Sequence, residues 1–415
     1  MAQPSPSPFS KGKVVDVHTH MYPPEYVKIL ESRTTIPLVR SFSSASDPRL
    51  ILLEAEVPLL DSSAAASSAD SGSDSGPSSS SSSSAVLPGR PLTQHYSSLS
   101  QKIHFMDTHG IDISVLSLAN PWLDFLPAES AGPIAHSINS EFSAMCAAVP
   151  GRLFFFAALP LTSPQPTILS AIAHAASLPF CRGVILGTSG LGAGLDDPAL
   201  LPIFSALAAS SLTVFLHPHY GLPNAVWGPR AAENYGHVLP LALGFPMETT
   251  IAVTRMFLAA VFDTVPCLQL LLAHSGGTLP FLAGRIESCI AHDGYLLRAG
   301  KLAPQRKTLW EVLQTQIYLD AVVYSDVGIA AAVAATSSSS SGRAEGGKGE
   351  DRLIFGTDHP FFPPLETGEH GQWESVSLNV AAVKKALGEG TEAAEKVMGG
   401  NAVRVLRLYQ DEKEK

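Results

Sequence analysis

The hydrophobic pattern of this chain is a repeated alternation of short apolar runs with longer amphipathic windows. Each run is four to eight residues long and rich in Val, Ile, Leu and Phe, which is typical of buried strands. The helix-like windows include residues 23–33, 97–109, 198–209 and 247–263, with Gly110 as a stop and Asp197 as an N-cap. The predicted strands cover residues 14–20, 113–120, 153–160, 181–187, 212–217, 268–274, 317–320 and 353–358.

Near-continuous apolar strands separated by helices predict a parallel sheet that is covered on both faces. Eight such strands favour an α/β protein with a closed (β/α)₈ TIM barrel over an open, doubly wound sheet. With 45% hydrophobic residues and a mean hydropathy of +0.18, the chain of 415 residues can bury a large core. The sequence therefore predicts one barrel domain.

Two low-complexity stretches interrupt this alternation. Residues 62–84 are almost entirely Ser, Ala, Gly and Asp, and residues 337–350 are a Ser run followed by Gly and charged residues. Neither stretch has enough apolar surface to offset the entropy of ordering it. We expect both to be disordered insertions in a barrel domain that spans residues 13–410, with tails at 1–12 and 411–415.

Charge and cysteine content limit the kinds of partner and compartment. A net charge of −10 and a pI near 5.8 argue against a nucleic-acid or membrane-surface binder. The four cysteines are widely spaced without a Cys-x-x-Cys pair, which is typical of reduced thiols in a cytoplasmic protein. The polar, Pro-rich first residues do not resemble a secretory signal, and prolines and charges interrupt the longest apolar run, residues 238–262.

Polar residues stand at or just after the carboxyl ends of most predicted strands. They are His18, His20, Asn120, His217, His274 and Asp358. The carboxyl ends of the strands form the catalytic face of barrel enzymes, so these side chains are expected to converge on one mouth. Several such residues on different strands are stronger evidence than a single one.

Four of these residues suit a metal site. His18 and His20 are spaced i, i+2 and so share one side of an extended strand. The first and last strands are neighbours when a barrel closes, which would bring Asp358 beside them, and His217 would complete the set. Three imidazoles and one carboxylate fit a zinc-like cation, and manganese is plausible if further oxygen ligands join. Taken singly, each residue could instead be an ordinary surface, loop or capping residue.

Two other histidines have weaker signals. His274 precedes Ser275-Gly276-Gly277, where the glycines allow a ligand to approach the backbone, so it could act as an acid, a base or a substrate donor. The alternative is a structural histidine that is hydrogen-bonded to its loop. His219 follows Pro218 and is expected to have a loop role, because the proline interrupts the strand. The Gly-rich stretch 187–194 lacks the residues of a phosphate-binding loop.

Four motifs, taken in order, resemble the amidohydrolase superfamily. They are His18-Thr19-His20, His217-Pro218-His219, His274-Ser275-Gly276-Gly277 and Gly356-Thr357-Asp358-His359-Pro360. Within the superfamily the chain resembles the non-oxidative decarboxylases of aminocarboxymuconate semialdehyde and γ-resorcylate, and more closely the fungal decarboxylases of isoorotate (uracil-5-carboxylate). The closer similarity includes Pro88-Gly89-Arg90-Pro91-Leu92 and extends over most of residues 14–408.

The resemblance implies an enzyme, a metal-dependent carboxy-lyase that converts uracil-5-carboxylate to uracil and CO₂ in pyrimidine salvage. It implies that His18, His20, His217 and Asp358 bind Zn²⁺, and that Asp358 also protonates the ring carbon. It implies a homodimer and a small heteroaromatic carboxylate as substrate. The residues that it assigns to the substrate site are Arg90, Asn120, His274 and Phe361.

Other functions stay open at this point. The substrate could be another aromatic acid of the γ-resorcylate or aminocarboxymuconate type. A metal-dependent amidohydrolase or lactonase would use a similar metal site, with Asp358 as a general base on water. Arg90 favours a carboxylate substrate, although without the resemblance it would be read as a surface residue in a Pro-Gly turn. A barrel that only binds a ligand would not need the whole set of metal-binding residues.

Overall fold

A computed structural model describes residues 12–60, 87–219, 221–228, 234–300, 306–337, 347–365 and 371–409. The insertion predicted at 62–84 and the tail at 411–415 lie outside the described residues, as do residues 1–11 and most of the second insertion. The last residues of that predicted insertion, 347–350, are described, and a short 3₁₀ turn that spans Gly349–Arg352 begins among them. The strands of the described residues, in chain order, are β1 (Val15–Met21), β2 (Leu38–Arg40), β3 (Arg49–Ile51), β4 (Arg90–Pro91), β5 (Ile113–Leu118), β6 (Leu153–Ala158), β7 (Cys181–Gly187), β8 (Thr213–His217), β9 (Leu270–Leu272), β10 (Ile317–Asp320) and β11 (Leu353–Ile354).

Eight of these strands form the barrel that the sequence predicts. They are parallel and follow the order β1-β5-β6-β7-β8-β9-β10-β11. The segment after β11 pairs with β1 and closes the ring: Val17 N donates to Phe355 O at 3.1 Å, and Thr19 and His359 form a parallel bridge. The (β/α)₈ prediction is confirmed.

Helices surround the barrel and connect its strands. Their starts follow local signals: Asp197 accepts from Ala199 N as predicted, and Ser98 Oγ accepts from Gln101 N. The described helices are α1 (Pro24–Glu31), α2 (Leu99–Thr108), α3 (Ala128–Ala148), α4 (Gln165–Ser177), α5 (Leu201–Ala209), α6 (Phe245–Leu258), α7 (Val261–Thr264), α8 (Leu279–His292), α9 (Gly294–Arg298), α10 (Leu309–Thr315), α11 (Asp326–Thr336), α12 (Glu374–Leu387), α13 (Glu392–Glu395) and α14 (Asn401–Val405).

The strands are buried on both faces, which explains why they read as continuous apolar runs. Every residue of β1, β5 and β6 is buried. Polar residues occur among them where side chains meet inside the barrel or at its mouth, as Asp16, His18 and Ser117 do. Within the described residues, none of the helices combines the length and apolar character needed to cross a lipid bilayer.

A small antiparallel sheet, β2-β3-β4, lies outside the barrel and was not predicted. The buried carboxylate of Glu56 holds it together by accepting from the backbone N–H groups of Leu52, Leu53 and Gly89. Gly89 has φ +67°, and a Cβ there would lie 2.3 Å from Leu50 O, so only glycine fits. This sheet carries Arg90 on β4.

Four predicted strands end earlier than expected. The second and third, predicted to residues 120 and 160, are β5 and β6, which end at Leu118 and Ala158. The last was predicted over 353–358, but β11 covers only Leu353–Ile354, and Asp358 has a left-handed backbone with φ +58°. The sixth was predicted over 268–274, but β9 covers Leu270–Leu272, and His274 lies in a 3₁₀ turn with φ +52°. At Asp358 and at His274 the chain has already left the sheet, and the left-handed turn places the side chain in the wall of the cavity at the mouth of the barrel.

Candidate metal centre and active-site cavity

Four residues from three places in the chain meet at the mouth of the barrel. His18 and His20 come from β1, His217 ends β8, and Asp358 follows β11. One ligand atom from each lies within 4.8 Å of the others, and all four residues are buried. The structure therefore brings together the four residues that the sequence suggested as metal ligands.

A hydrogen bond at Nδ1 holds each of the three imidazoles. Such a bond fixes the ring so that Nε2 is the atom left for a metal. The partners are Asp320 Oδ2 for His18 at 2.6 Å, Ser117 Oγ for His20 at 2.8 Å and the carbonyl oxygen of Pro218 for His217 at 2.8 Å.

The atoms that face the centre fit a divalent cation. The Nε2 atoms of His18 and His20 are buried and have no hydrogen-bond partner among the described residues. Asp358 Oδ1 lies 3.3 Å from His18 Nε2 and 3.6 Å from His20 Nε2. Buried nitrogen atoms without partners are costly in the protein alone, and a metal ion that binds them removes this cost.

The charges of the four residues are strongly coupled. Burial opposes protonation of His18, but the Asp358 and Asp320 carboxylates outweigh it and raise the pKa of His18 to about 10. Burial lowers the pKa of His20 to about 4 and that of His217 well below its usual range. Burial raises the pKa of Asp358, yet the neighbouring histidines outweigh it and hold that pKa well below normal. Asp358 is thus ionised in the protein alone, where protonated His18 balances its negative charge. A bound cation would replace that proton as the balancing positive charge.

A cavity of about 700 Å³ opens beside the metal centre. Pockets of about 300–1,000 Å³ are typical for small organic ligands. The wall is mostly apolar, with Leu50, Leu52 and Phe245 among its residues. The residues that the sequence assigned to the metal or the substrate and that line this cavity are Arg90, Asn120, His217, His274, Asp358 and Phe361.

Arg90 and Phe361 line the cavity and lie against each other. The Arg90 guanidinium lies 5.0 Å from the centroid of the Phe361 ring, within the range of a cation–π contact. The Phe361 ring in turn meets His20 edge to face at 5.5 Å. Arg90 is half-buried and is not the solvated turn residue that its sequence context alone suggested, because the small sheet turns it toward the barrel.

Asn120 and His274 lie at other positions of the cavity wall. The Asn120 amide nitrogen donates to the carbonyl oxygen of His219 at 2.6 Å, which fixes the plane of the amide. His274 Nε2 lies 3.6 Å from Asp358 Oδ2, and Asp320 Oδ2 accepts from the His274 backbone N–H at 3.0 Å. The Asn120 side chain is therefore held in place before any ligand arrives, whereas at His274 the bond holds the backbone, and the Nδ1 atom of its ring has no hydrogen-bond partner among the described residues.

His219 lies outside the group of metal-binding residues. Its ring stacks on Trp122 at 5.1 Å, and its Nε2 lies 3.1 Å from Asp124 Oδ2. Ser189 Oγ is 3.0 Å from its Nδ1. These contacts agree with the loop role expected from the sequence.

Sequence reasoning missed two residues, Asp320 and Lys102, that form hydrogen bonds with the metal-binding candidates or with their neighbours in the chain. Asp320 ends the predicted seventh strand, so the signal that identified the other polar residues was present there too. Lys102 gave no signal because it lies on the buried face of α2, where its Nζ is 2.6 Å from both Thr19 Oγ1 and His359 Nδ1. Lys102 therefore links Thr19, which lies between the two β1 histidines, to His359, which follows Asp358.

Solved structures and curated proteins resemble this chain over most of its length. The structure of isoorotate decarboxylase (IDCase) from Metarhizium anisopliae, in apo form, is 64% identical with a TM-score of 0.87, and the match covers 96% of this chain and 98% of that one. The 2-amino-3-carboxymuconate-6-semialdehyde decarboxylase of Dictyostelium discoideum is 27% identical over 311 residues, 74% of this chain and 76% of that protein.

A more distant structure shares the fold. The 5-carboxyvanillate decarboxylase of Novosphingobium aromaticivorans, complexed with manganese and a nitrobenzoic acid, is 18% identical with a TM-score of 0.67, covering 95% of this chain and 96% of that one. The model of the amidohydrolase family Amidohydro_2 matches residues 15–408. This chain therefore belongs to the amidohydrolase family.

Proposed function

We propose that this protein is a metal-dependent, non-oxidative decarboxylase that converts isoorotate (uracil-5-carboxylate) to uracil and CO₂. The observation that carries the proposal is the 64% identity to the Metarhizium isoorotate decarboxylase over nearly the whole chain. The cavity that Arg90 lines together with the metal-binding candidates His217 and Asp358 supports it. A role in pyrimidine salvage, a cytoplasmic location and a homodimer are part of the same proposal.

The cavity residues match the chemistry of a planar heteroaromatic acid. The Arg90 guanidinium supplies a charged fork for a carboxylate or ring oxygen. The Asn120 amide, fixed by its bond to the His219 carbonyl, can pair with the edge of the ring that carries N–H and C=O groups. Phe361 presents an aromatic face or edge to a flat ring.

Asp358 is the proposed acid. It is ionised in the protein alone, so it must take up one proton from solvent when the substrate binds, because the negative carboxylate of the substrate favours its protonated form. Asp358 then transfers this proton to the ring carbon that bears the carboxylate. The bond between that carbon and the carboxylate breaks, its electron pair returns to the ring, CO₂ leaves, and Asp358 is again a carboxylate. His274, 3.6 Å from Asp358, orients the acid.

We propose zinc as the metal, held by His18, His20, His217 and Asp358. Three imidazoles and one carboxylate are a ligand set typical of zinc, and manganese is the alternative because a related decarboxylase structure contains it. A bound cation of this kind supplies Lewis-acid stabilisation of negative charge on substrate oxygens.

The test is to purify the protein, measure its metal content and follow uracil and CO₂ formation from isoorotate. We expect turnover that a chelator abolishes and added Zn²⁺ restores. Asp358→Asn should abolish turnover, whereas the matched exposed variant Asp107→Asn, which loses only the surface pair with Arg152, should retain it. Release of a ring-opened acid without CO₂ would instead establish a hydrolase.

A further inference from the structure

Glu248 is a charged residue of α6 that the sequence signals did not assign to the site and that the proposed reaction does not use. It lies in the first turn of α6, and its carboxylate contacts the loop that follows His217 at the end of β8. Oε1 accepts from His219 N at 2.7 Å and from the Thr188 hydroxyl. Oε2 accepts from Gly221 N at 2.5 Å. An ionised carboxylate only accepts hydrogen bonds, so it suits a position where several donors converge.

One of these donors belongs to a peptide group that also holds a metal-binding candidate. The N–H of His219 and the carbonyl of Pro218 are parts of the same planar peptide, so their directions are fixed relative to each other. The Pro218 carbonyl oxygen accepts from His217 Nδ1 at 2.8 Å, while Glu248 accepts from the N–H. The Glu248 carboxylate and the His217 ring are therefore bonded to opposite sides of one rigid unit.

The residue on the far side of this peptide is held by further contacts. His219 is buried, and its carbonyl oxygen accepts from the Asn120 side chain at 2.6 Å. Its ring stacks on Trp122 with the centroids 5.1 Å apart. With the side chain and the carbonyl held, the bond from the N–H to Glu248 is the contact that sets the plane of the Pro218–His219 peptide.

The orientation of this peptide matters for the form of the His217 ring. A carbonyl can only accept, so its bond requires the proton on Nδ1 and leaves the Nε2 lone pair for a metal. A carboxylate that accepts from the peptide N–H also polarises the group, which makes the carbonyl oxygen a stronger acceptor. Asp320 supports His18 by a direct bond to Nδ1, and Glu248 stands in the equivalent position for His217 with one peptide between them.

We propose that Glu248 is a positioning residue of the metal centre, which fixes the Pro218–His219 peptide so that His217 keeps its Nδ1–H bond and its Nε2 lone pair. The inference rests on the proposed function for the presence of the metal and does not depend on the identity of the substrate. Glu248 acts through the peptide, so its effect is on the binding and orientation of the metal ligand.

The test is Glu248→Met, which keeps the length of the side chain and removes both acceptor oxygens. The matched control is Glu389→Met, which removes an exposed carboxylate that pairs with Lys384. For each protein we would measure the Zn²⁺ affinity by competition with a chelator and the melting temperature of the metal-free form. We would also record the exchangeable ring N–H signals of the Co²⁺-loaded protein by NMR, because the unpaired electrons of Co²⁺ shift the signals of its ligands away from all others.

We expect Glu248→Met to bind Zn²⁺ about 10-fold more weakly, the lower end of the range for residues that bond directly to a metal-binding histidine, because a peptide intervenes. One of the three histidine N–H signals should shift or broaden through faster exchange with water. The signals of His18 and His20 should stay in place, since their acceptors are not part of the β8 loop. Glu389→Met should match wild type in every measurement.

A second variant keeps the test decisive if Glu248→Met does not fold. Glu248→Ala also removes both oxygens but leaves space for water beside the freed N–H groups, and we expect the same direction of change in Zn²⁺ affinity and in the His217 signal.

Three results would overturn the inference. A Zn²⁺ affinity within about twofold of wild type, with all three signals in place, would show that the peptide is held without Glu248. Weaker Zn²⁺ binding with all three signals unchanged would show only the loss of a nearby negative charge. A lowered melting temperature with both metal properties unchanged would show that Glu248 serves the fold alone.

Failure of the proposed function gives a different result. If the metal-loaded wild type forms no uracil, the proposed substrate is wrong, and the role of Glu248 is still decided by the Zn²⁺ affinity and the N–H signals. If the wild type binds neither Zn²⁺ nor Co²⁺, the proposed metal centre is wrong and the inference is refuted with it.

Discussion

Asp320→Asn isolates the contribution of one buried carboxylate to the metal centre. Asp320 is fully buried, and its two oxygens accept four hydrogen bonds. Oδ2 accepts from His18 Nδ1 at 2.6 Å and His274 N at 3.0 Å, and Oδ1 accepts from Ser275 N at 2.8 Å and Val322 N at 3.1 Å. Asparagine has almost the same shape but supplies only one oxygen, so two of the four donors must face an NH₂ group.

The size of the effect follows from which donors lose their acceptor. If the amide oxygen stays with the two backbone N–H groups on the Oδ1 side, His18 Nδ1 faces a donor. His18 must then either leave its N–H unpaired, at a cost of about 1–3 kcal/mol of unfolding free energy, or move its proton to Nε2. The second tautomer removes the lone pair that a metal needs, and loss of such a supporting partner typically costs about 10- to 100-fold in metal affinity.

The assay is competition between the protein and a chelator of known Zn²⁺ affinity, combined with thermal unfolding of the metal-free protein. We expect Asp320→Asn to bind Zn²⁺ about 10- to 100-fold more weakly and to unfold at a lower temperature. Asp107→Asn, an exposed carboxylate paired with Arg152, is the control and should change neither property. An Asp320→Asn protein with wild-type melting temperature and a Zn²⁺ affinity within about twofold of wild type would refute the reasoning.

Three further predictions address substrate binding, pH dependence and thiol reactivity. Arg90→Met should raise KM for isoorotate about 10- to 100-fold in steady-state kinetics while the metal content is unchanged, because it removes a charged hydrogen-bond donor; an unchanged KM would contradict its role. Burial lowers the pKa of Lys102 to about 7, so above that pH the unfolded state binds more protons at this residue, and the contribution of Lys102 to stability should rise from pH 7 toward 10, opposite to that of His18, whose pKa is raised to about 10. The difference in unfolding free energy between wild type and Lys102→Met should therefore shift in favour of wild type from pH 7 toward 10 in denaturant titrations, and a difference that does not change with pH would contradict the assignment. A thiol reagent should label the exposed Cys267 and Cys289 in the native protein, whereas Cys146, which burial keeps protonated with a raised pKa, should react only after unfolding.

The sequence by itself determined the architecture and the types of residue at the centre. Parallel barrel strands are buried on both faces, so each must be an uninterrupted apolar run, and that local signal identified all eight. Polar residues are excluded from such runs unless they reach the mouth or a partner, which is why His18, His20 and His217 stood out at strand ends. The ends of the second, third, sixth and eighth strands were predicted too late. β9 and β11 stop where a turn, not a change of hydrophobicity, takes the chain out of the sheet.

Only the tertiary structure decided how these residues are supported and what else enters the cavity. His18 and Asp320 are 302 positions apart, and Lys102 and His359 are 257 apart, so no local pattern connects them. Arg90 reaches the cavity through a sheet of two- and three-residue strands, which are too short to have a readable period. Tyr324 lines the cavity from a turn with a left-handed backbone, and the distant Asn379 holds that turn by accepting from the Tyr324 N–H. Hydrophobic periodicity is a property of neighbouring residues, whereas ligand orientation and buried hydrogen bonds arise only when the closed barrel brings distant residues together.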